Sequence, residues 1–332
     1  MKFVDNHDLI DARRNRALEE HVLRHKLTGE DLLLFYVNAP SIIIGRNQNT
    51  IEEINAEEVN RRGITVVRRI SGGGAVYHDL GNLNFSFMTP EVFGRFNRYD
   101  TFNGPVVDVL RSLGVPAELS GRNDIVADGR KISGNAQFAT SSGMLSHGTL
   151  LLNANLDDVT SALRPKPGKV ESKGMKSVRS RVANISEFLS SPLDVRELRD
   201  RILERIFGTR DRTRIPSVEL TGDDLRAADR LYRDRYDNWE WNFGRSPASN
   251  VQRSRRFAGG EIDLRLDVQE GRIRGIRFFG DFMGQRDVAE VEDLLAGLPY
   301  DTNAIGQALG EVELTDYFGS ISRDEVLAVL LP

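Results

Sequence analysis

The chain has 332 residues, 39% hydrophobic and 28% charged, with a formal net charge of −4 and no cysteine. That balance argues against a globally basic nucleic-acid binder, and the missing cysteine excludes disulfides, zinc–thiolate sites, iron–sulfur clusters and any cysteine acyl-thioester mechanism. No apolar run approaches the ~20 residues that span a bilayer and the N-terminus has no signal-peptide core, so a cytoplasmic protein with no membrane and no nucleic-acid partner is expected.

Residues 8–27 carry Leu9, Ile10, Ala17, Leu18, Val22 and Leu23 near helical spacing, which predicts an amphipathic helix. Two short strands, 32–37 and 41–44, follow, joined by Asn38-Ala39-Pro40. A helix over 54–62 ends at Gly63, strands dominate 64–89, and a helix over 102–113 stops at Gly114. More strands lie between 117 and 153, then a short helix over 156–163. Residues 164–180 lack apolar periodicity and are rich in Lys, Gly, Pro and Ser, which reads as a mobile loop. Ser191-Pro192-Leu193-Asp194 starts a helix that runs to Phe207, and another begins near Thr221 and ends before Trp239. The turn-rich stretch 242–250 marks a boundary, giving a large domain over 1–245 and a small α+β domain over 246–332. Two alternating strands, 261–268 and 272–279, and two or three short helices fill the latter.

The most informative segment is Arg68-Arg69-Ile70-Ser71-Gly72-Gly73-Gly74-Ala75-Val76-Tyr77-His78. Three glycines between two strand-like runs pack nothing, so they point to a turn whose backbone approaches something closely. Behind two arginines, such a turn reads as a nest of N–H groups for an anion. The plain alternative is a glycine-rich turn without a ligand, and arginines together with glycines favour the site.

Asp128-Gly129 between two β-rich runs predicts a two-residue hairpin. Regular pairing then sets Ala127 against Arg130, Val126 against Lys131, Ile125 against Ile132 and Asp124 against Ser133. Ile125 and Ile132 face the core, whereas Asp124 and Lys131 share the other face with Cβ atoms roughly 7 Å apart or less. A lysine on rigid strand can stabilise charge developing on phosphorus. The plain reading is a surface ion pair of little worth.

The 164–181 stretch carries Lys166, Lys169, Lys173, Lys176, Arg179 and Arg181 against Glu171, a charge pattern suited to a flap over a polyanion. His147-Gly148-Thr149 ends a strand, and the sequence names no carboxylate partner for the histidine. There is no P-loop motif, and Tyr77 stands where the third glycine of G-x-G-x-x-G would fall. Any nucleotide site must come from the triple glycine, the hairpin lysine and the basic loop.

Taken together, these segments resemble the lipoate–protein ligase family. Residues 68–82 match R-R-x-S-G-G-G-A-V-F/Y-H-D-x-G-N; 121–124 and 130–134 match G-R-N-D and R-K-V/I-S-G; 147–151 match H-G-T-L-L; 173–184 match K-G-x-x-S-V-x-S-R-V-x-N. The resemblance implies an α+β fold like that of biotin and lipoyl protein ligases. A large catalytic domain of mixed β-sheets flanked by helices would carry a small C-terminal accessory domain. It implies ATP-dependent activation of lipoate to lipoyl-AMP with release of pyrophosphate, then transfer to a lysine of lipoyl-domain apoproteins, E2 subunits or the H protein. Carried over residue by residue, Lys131 is the catalytic residue. Arg69, Gly74, Ala75, Val76, Tyr77, Asn123, Asp124, Lys131, Lys173, Ser177, Val178 and Arg181 bind the nucleotide. Arg69, Ser71, Gly72, Gly73, Gly74, Lys131, His147 and Gly148 bind lipoate. Val76, Ile70 and the strand around Tyr36 are candidates for an apolar acyl tunnel. Mg²⁺ accompanies ATP mainly through phosphates and water, with Asp124 the one protein candidate ligand. Octanoyl transfer through a cysteine, the chemistry of related folds, is closed to this chain.

Overall fold

The computed structural model of the chain describes residues 1–121, 123–163, 181–244, 251–269, 271–300 and 302–331. The chain divides into two compact units: Met1–Ile43, Glu52–Val67 and Val76–Asn238 form the first, and Ile44–Ile51, Arg68–Ala75 and Trp239–Pro332 the second.

Up to Asn238 the chain forms β1 (Lys2–Val4), α1 (Ala12–His25), β2 (Leu32–Tyr36), β3 (Ser41–Ile44), α2 (Thr50–Glu53), α3 (Ala56–Arg62), β4 (Thr65–Arg68), β5 (Val76–His78) and β6 (Asn82–Thr89). It continues through α4 (Tyr99–Ser112), β7 (Ala117–Ser120), β8 (Asp124–Ala127), β9 (Arg130–Thr140), β10 (Gly143–Leu151), α5 (Leu156–Ala162), α6 (Val195–Phe207), β11 (Ser217–Val218) and α7 (Gly222–Leu231). Among the described residues an eight-stranded sheet runs β11-β1-β2-β6-β10-β9-β8-β7, and a three-stranded sheet runs β4-β3-β5. β11, β1 and β2 are parallel and the other neighbours of the large sheet antiparallel.

The alternation of the strands sets what each face of the large sheet meets. Leu33, Phe35, Phe85, Phe87, Leu150, Ile125 and Ile132 join Val106, Leu110, Leu198 and Ile202 from α4 and α6 in one buried cluster. The opposite face carries polar residues and α1, whose Asp11 side chain caps the N-terminal amides of Arg13 and Arg14. The predicted helix over 8–27 therefore starts at its cap, four residues late. The helix expected over 54–62 begins after Asn55, which caps α3, and Gly63 ends it in the left-handed conformation at φ 63°. No helix among the described residues is long and apolar enough to cross a membrane.

In the second unit α8 (Trp239–Asn242) precedes β12 (Val251–Phe257), β13 (Gly260–Gln269) and β14 (Arg272–Gly280), an antiparallel sheet in that order. Helices α9 (Ala289–Leu295), α10 (Thr302–Ala308), α11 (Thr315–Phe318) and α12 (Arg323–Leu330) follow. Ile262, Leu264, Leu266, Ile276 and Phe278 pack with Val291, Leu295, Phe318, Val326 and Leu330. Strand β12 was not among the expected elements, because Arg253, Arg255 and Arg256 hide its alternation.

Candidate active site

The β8–β9 hairpin forms as its sequence predicts, with Asp128 at φ 47° and Gly129 at φ 72°. These are the two positive φ values that a type I′ turn demands. Its register departs from regular pairing. Ala127 pairs with Arg130 and Val126 with Lys131, but Ile125 pairs with Ser133 and Asp124 with Gly134, so Ile132 is the extra residue of a bulge. The expected Ile125–Ile132 and Asp124–Ser133 pairs are thereby corrected, while both isoleucines remain in the core.

The bulge sits beside Lys131 and is matched by a second chain segment. Lys131 N–H donates to the Arg181 carbonyl at 2.7 Å, and Ala183 N–H donates to the Lys131 carbonyl at 2.9 Å. Lys131 thus forms a parallel bridge with Val182. With its backbone held on both sides, its ammonium pairs with Asp124 Oδ1 at 2.8 Å, both side chains about one-third exposed. The stem lies over Gly134, where an added Cβ would meet Lys131 Cε and Nζ at 2.9 Å. Asn123 is tied to β9 through Asn135: Asn135 Nδ2 donates to the Asn123 carbonyl at 2.9 Å, and Asn123 Nδ2 bonds the Asn135 carbonyl.

Register carries this position across the sheet. Asp124 pairs with Gly134, Gly134 with Thr149, Thr149 with Asn84, and Asn84 with Tyr36. Paired residues share a face, so these five make one row that, at about 4.8 Å per strand, is roughly 19 Å long. Two residues along the strands the next row holds Ala136, His147, Ser86 and Leu34. Lys131 stands at one end, Tyr36 at the other. Asn82 Nδ2 donates to Thr149 Oγ1 at 3.3 Å, and Asn84 Nδ2 to the Tyr36 carbonyl at 3.3 Å.

The far end holds a charge cluster that sequence reading missed. Glu19, on α1, is fully buried; its Oε1 lies 3.1 Å from His147 Nδ1, accepts from Tyr36 Oη at 3.3 Å and bonds Ser86 Oγ. Arg16 Nη1 donates to Glu19 Oε2 at 2.8 Å and stands 3.2 Å from His147 Nδ1. Burial alone would raise the Glu19 carboxyl. The Arg16 charge, His147 and the Ser86 hydroxyl outweigh it and hold the carboxyl at about 2. His147 therefore has the carboxylate partner that its own segment did not announce. The signal lay in Arg16 and Glu19 themselves, two charges three apart on the apolar side of a predicted helix. Gly148, next to His147, is pressed on the other face: a Cβ there would meet Asn135 Oδ1 at 2.0 Å and Phe85 Cζ at 2.6 Å.

Val76 and Tyr77 lie on β5 in the first unit. Tyr77 is buried and its hydroxyl donates to Asp158 Oδ2 at 3.2 Å. Burial, then the Asp158 and Asp79 charges, push the phenol above its ordinary range, so it stays a neutral donor.

Arg69, Ser71, Gly72, Gly73, Gly74 and Ala75 lie in the second unit. Arg69 is buried, and its guanidinium donates to the Gly72 carbonyl at 2.6 Å, the Gly74 carbonyl at 2.9 Å and Ser71 Oγ at 3.0 Å. The expected convergence was of N–H groups; the observed one is of carbonyls on an arginine. Gly72 runs against another backbone, since a Cβ on it would lie 2.4 Å from the Phe282 carbonyl oxygen. Arg68 is structural. Its guanidinium donates to the carbonyls of Gly45 (3.0 Å), Arg46 (2.8 Å), Gln48 (2.7 Å) and Trp241 (2.8 Å) and to Thr50 Oγ1 (2.8 Å). Lys173, Ser177 and Val178, with the 164–180 loop, lie outside the described residues. Among the described residues no group of three or more His, Asp or Glu is placed to hold a metal ion.

Residues 11–207 match the family described as the lipoyl protein ligase A/B catalytic domain, and 246–330 match the bacterial lipoate protein ligase C-terminus. The lipoate-protein ligase LplJ of Bacillus subtilis strain 168 is 52% identical over 330 residues, 99% of this chain and 100% of that protein. The chain belongs to the lipoate–protein ligase family. Among solved structures, protein Ta0514 of Thermoplasma acidophilum with bound lipoic acid is 31% identical with a TM-score of 0.60, covering 71% of this chain and 95% of that one. A lipoate-protein ligase A bound with ATP is 30% identical with a TM-score of 0.61, covering 74% and 99%. The mixed sheets with flanking helices and the C-terminal domain are those of lipoate ligases, as the motifs implied.

Proposed function

We propose that this lipoate ligase activates lipoate with ATP and passes the lipoyl group to a lysine of a lipoyl domain, such as that of an E2 subunit or the H protein. In the first step a lipoate carboxylate oxygen attacks the α-phosphorus, forming a P–O bond as the bond to pyrophosphate breaks. In the second, the ε-amine of the acceptor attacks the acyl carbonyl, AMP leaves and the amine loses a proton. The observation that carries the reading is the Lys131 ammonium, held on rigid strand at the end of a polar row that closes on Tyr36 and His147. A fixed cation meets the charge that develops as pyrophosphate departs without needing to reorganise.

An extended acid laid along the row puts its carboxylate by Lys131 and its tail towards Tyr36 and His147, while Gly148 faces Asn135 and Phe85 on the other side of the sheet. Arg69, Ser71 and Gly72 to Gly74 are assigned to lipoate binding, and Gly74 to Tyr77, Asn123, Asp124 and Arg181 to nucleotide binding. We assign catalysis to 1–245 and an accessory role to 246–332. Mg²⁺ enters with the nucleotide phosphates. No general base for the acceptor amine is required where positioning against a mixed anhydride suffices.

The test is mass spectrometry of a purified lipoyl domain after incubation with the protein, ATP, Mg²⁺ and lipoate or octanoate. The expected result is one acyl group on one lysine, dependent on ATP. An acceptor that stays unmodified with both acids overturns the reading.

A further inference from the structure

We propose that Asp158 is a positioning residue for the nucleotide-binding strand β5, acting through Tyr77. The proposal rests on the ligase reading above, in which Val76 and Tyr77 border the nucleotide. β5 has three residues and, among the described residues, stands at the edge of its sheet, paired with β3 through Ser41–His78, Ile42–Tyr77 and Ile43–Val76. So short an edge strand is weakly fixed by its ladder. What holds it from the other side is α5. Asp158 Oδ2 accepts from Tyr77 Oη at 3.2 Å and forms an ion pair with Arg62 of α3. The tie is returned by Asp79, just after β5. Its Oδ2 accepts from the N–H of Asn155, the cap of α5, at 2.8 Å, and its Oδ1 from Gly81 N–H at 2.8 Å. Two carboxylates, one from each element, thus bolt β5 to α5.

The latch is not needed to build the fold at this position. The motif admits Phe or Tyr at residue 77, so a ring alone fills the site and the hydroxyl is an addition. Arg62 has further partners in Glu58 and Ser161, each near 3.5 Å, so losing Asp158 does not strand its charge. The consequence of losing the Tyr77–Asp158 bond is a β5 backbone free to shift where the nucleotide lies.

Tyr77→Phe, Asp158→Asn and the double variant test this in lipoate-dependent pyrophosphate exchange, with thermal unfolding measured alongside. Each single change is expected to raise KM for ATP about fivefold, the scale of one hydrogen bond, with kcat and KM for lipoate within twofold. The double variant is expected to be no worse than Tyr77→Phe, because both changes act on one interaction, Asp158→Asn by taking away the acceptor's charge, and Asp158→Glu to recover part of the loss. An unchanged KM for ATP beside a lowered melting temperature would reduce Asp158 to a structural role and overturn the proposal, as would additive effects in the double variant. If Asp158→Asn does not fold, Tyr77→Phe alone decides. Wild-type protein without exchange sinks the ligase reading and this inference together; wild-type exchange with unaffected variants sinks this inference only.

Discussion

A β-carbon on Gly134 would lie 2.9 Å from the ammonium nitrogen of Lys131. The glycine three residues after the lysine is therefore the floor on which that side chain rests. Real Cβ atoms do not approach this closely, but the atom in the way is the mobile end of a long chain. Gly134→Ala should displace the ammonium and leave the fold nearly untouched. We expect at least a tenfold loss of pyrophosphate exchange with a stability change below about 1 kcal/mol, the range of mild crowding. A variant with unchanged exchange would show that the lysine works from another position.

Removing the ammonium itself is the sharper experiment. Lys131→Ala should lower lipoate-dependent pyrophosphate exchange by about a hundredfold or more, in keeping with loss of one preorganised charge-stabilising donor. A non-catalytic lipoate carrier would lose little. Exchange within threefold of wild type would remove the central claim about this residue.

The Glu19 cluster makes stability depend on acid. Its carboxyl sits at about 2 in the folded chain against 4.5 when free, so folding favours the charged form. The contribution is complete above pH 4.5 and drains away as pH falls towards 2. Denaturant midpoints should fall through that window, and less steeply in Glu19→Gln. At pH 7 the same substitution leaves Arg16 buried without its anion and should cost about 3 kcal/mol. Equal acid sensitivity in variant and wild type would disprove the assignment.

Arg68 offers a stability prediction free of any catalytic premise. Arg68→Ala leaves the carbonyls of Gly45, Arg46, Gln48 and Trp241 without their shared donor. Gly45 keeps its bond from the Gln48 N–H at 3.1 Å, and each buried acceptor left unsatisfied costs roughly 1–3 kcal/mol. Calorimetry should therefore show a loss of several kcal/mol, and Arg68→Lys, which lacks the planar fork, should recover little of it.

How much of this was legible in the residues depends on range. The hairpin at Asp128-Gly129, the helix caps, and the shared face of Asp124 and Lys131 follow from signals a few residues apart. The bulge at Ile132 was not legible, because what fixes it is the return of residues 181–183 onto Lys131, some fifty positions downstream. The partner of His147 was hidden for the same reason: Glu19 is remote in sequence and reaches it only once α1 lies on the sheet. Arg68 was read with Arg69 as part of an anion site, since composition cannot separate a guanidinium that meets a ligand from one consumed by carbonyls. Strand β12 escaped because arginines occupy positions that an amphipathic pattern leaves to apolar residues.

The arginine that ties residues 45–48 to 241 also constrains the history of the molecule. The tail's folding unit borrows two internal stretches, Ile44–Ile51 and Arg68–Ala75, from the body of the chain. Its border is therefore not a single cut. A recombination event that exchanged only the last third between two relatives would deliver a C-terminal unit without its two internal stretches, so the parts of such a chain should have drifted in concert rather than been shuffled as independent cassettes.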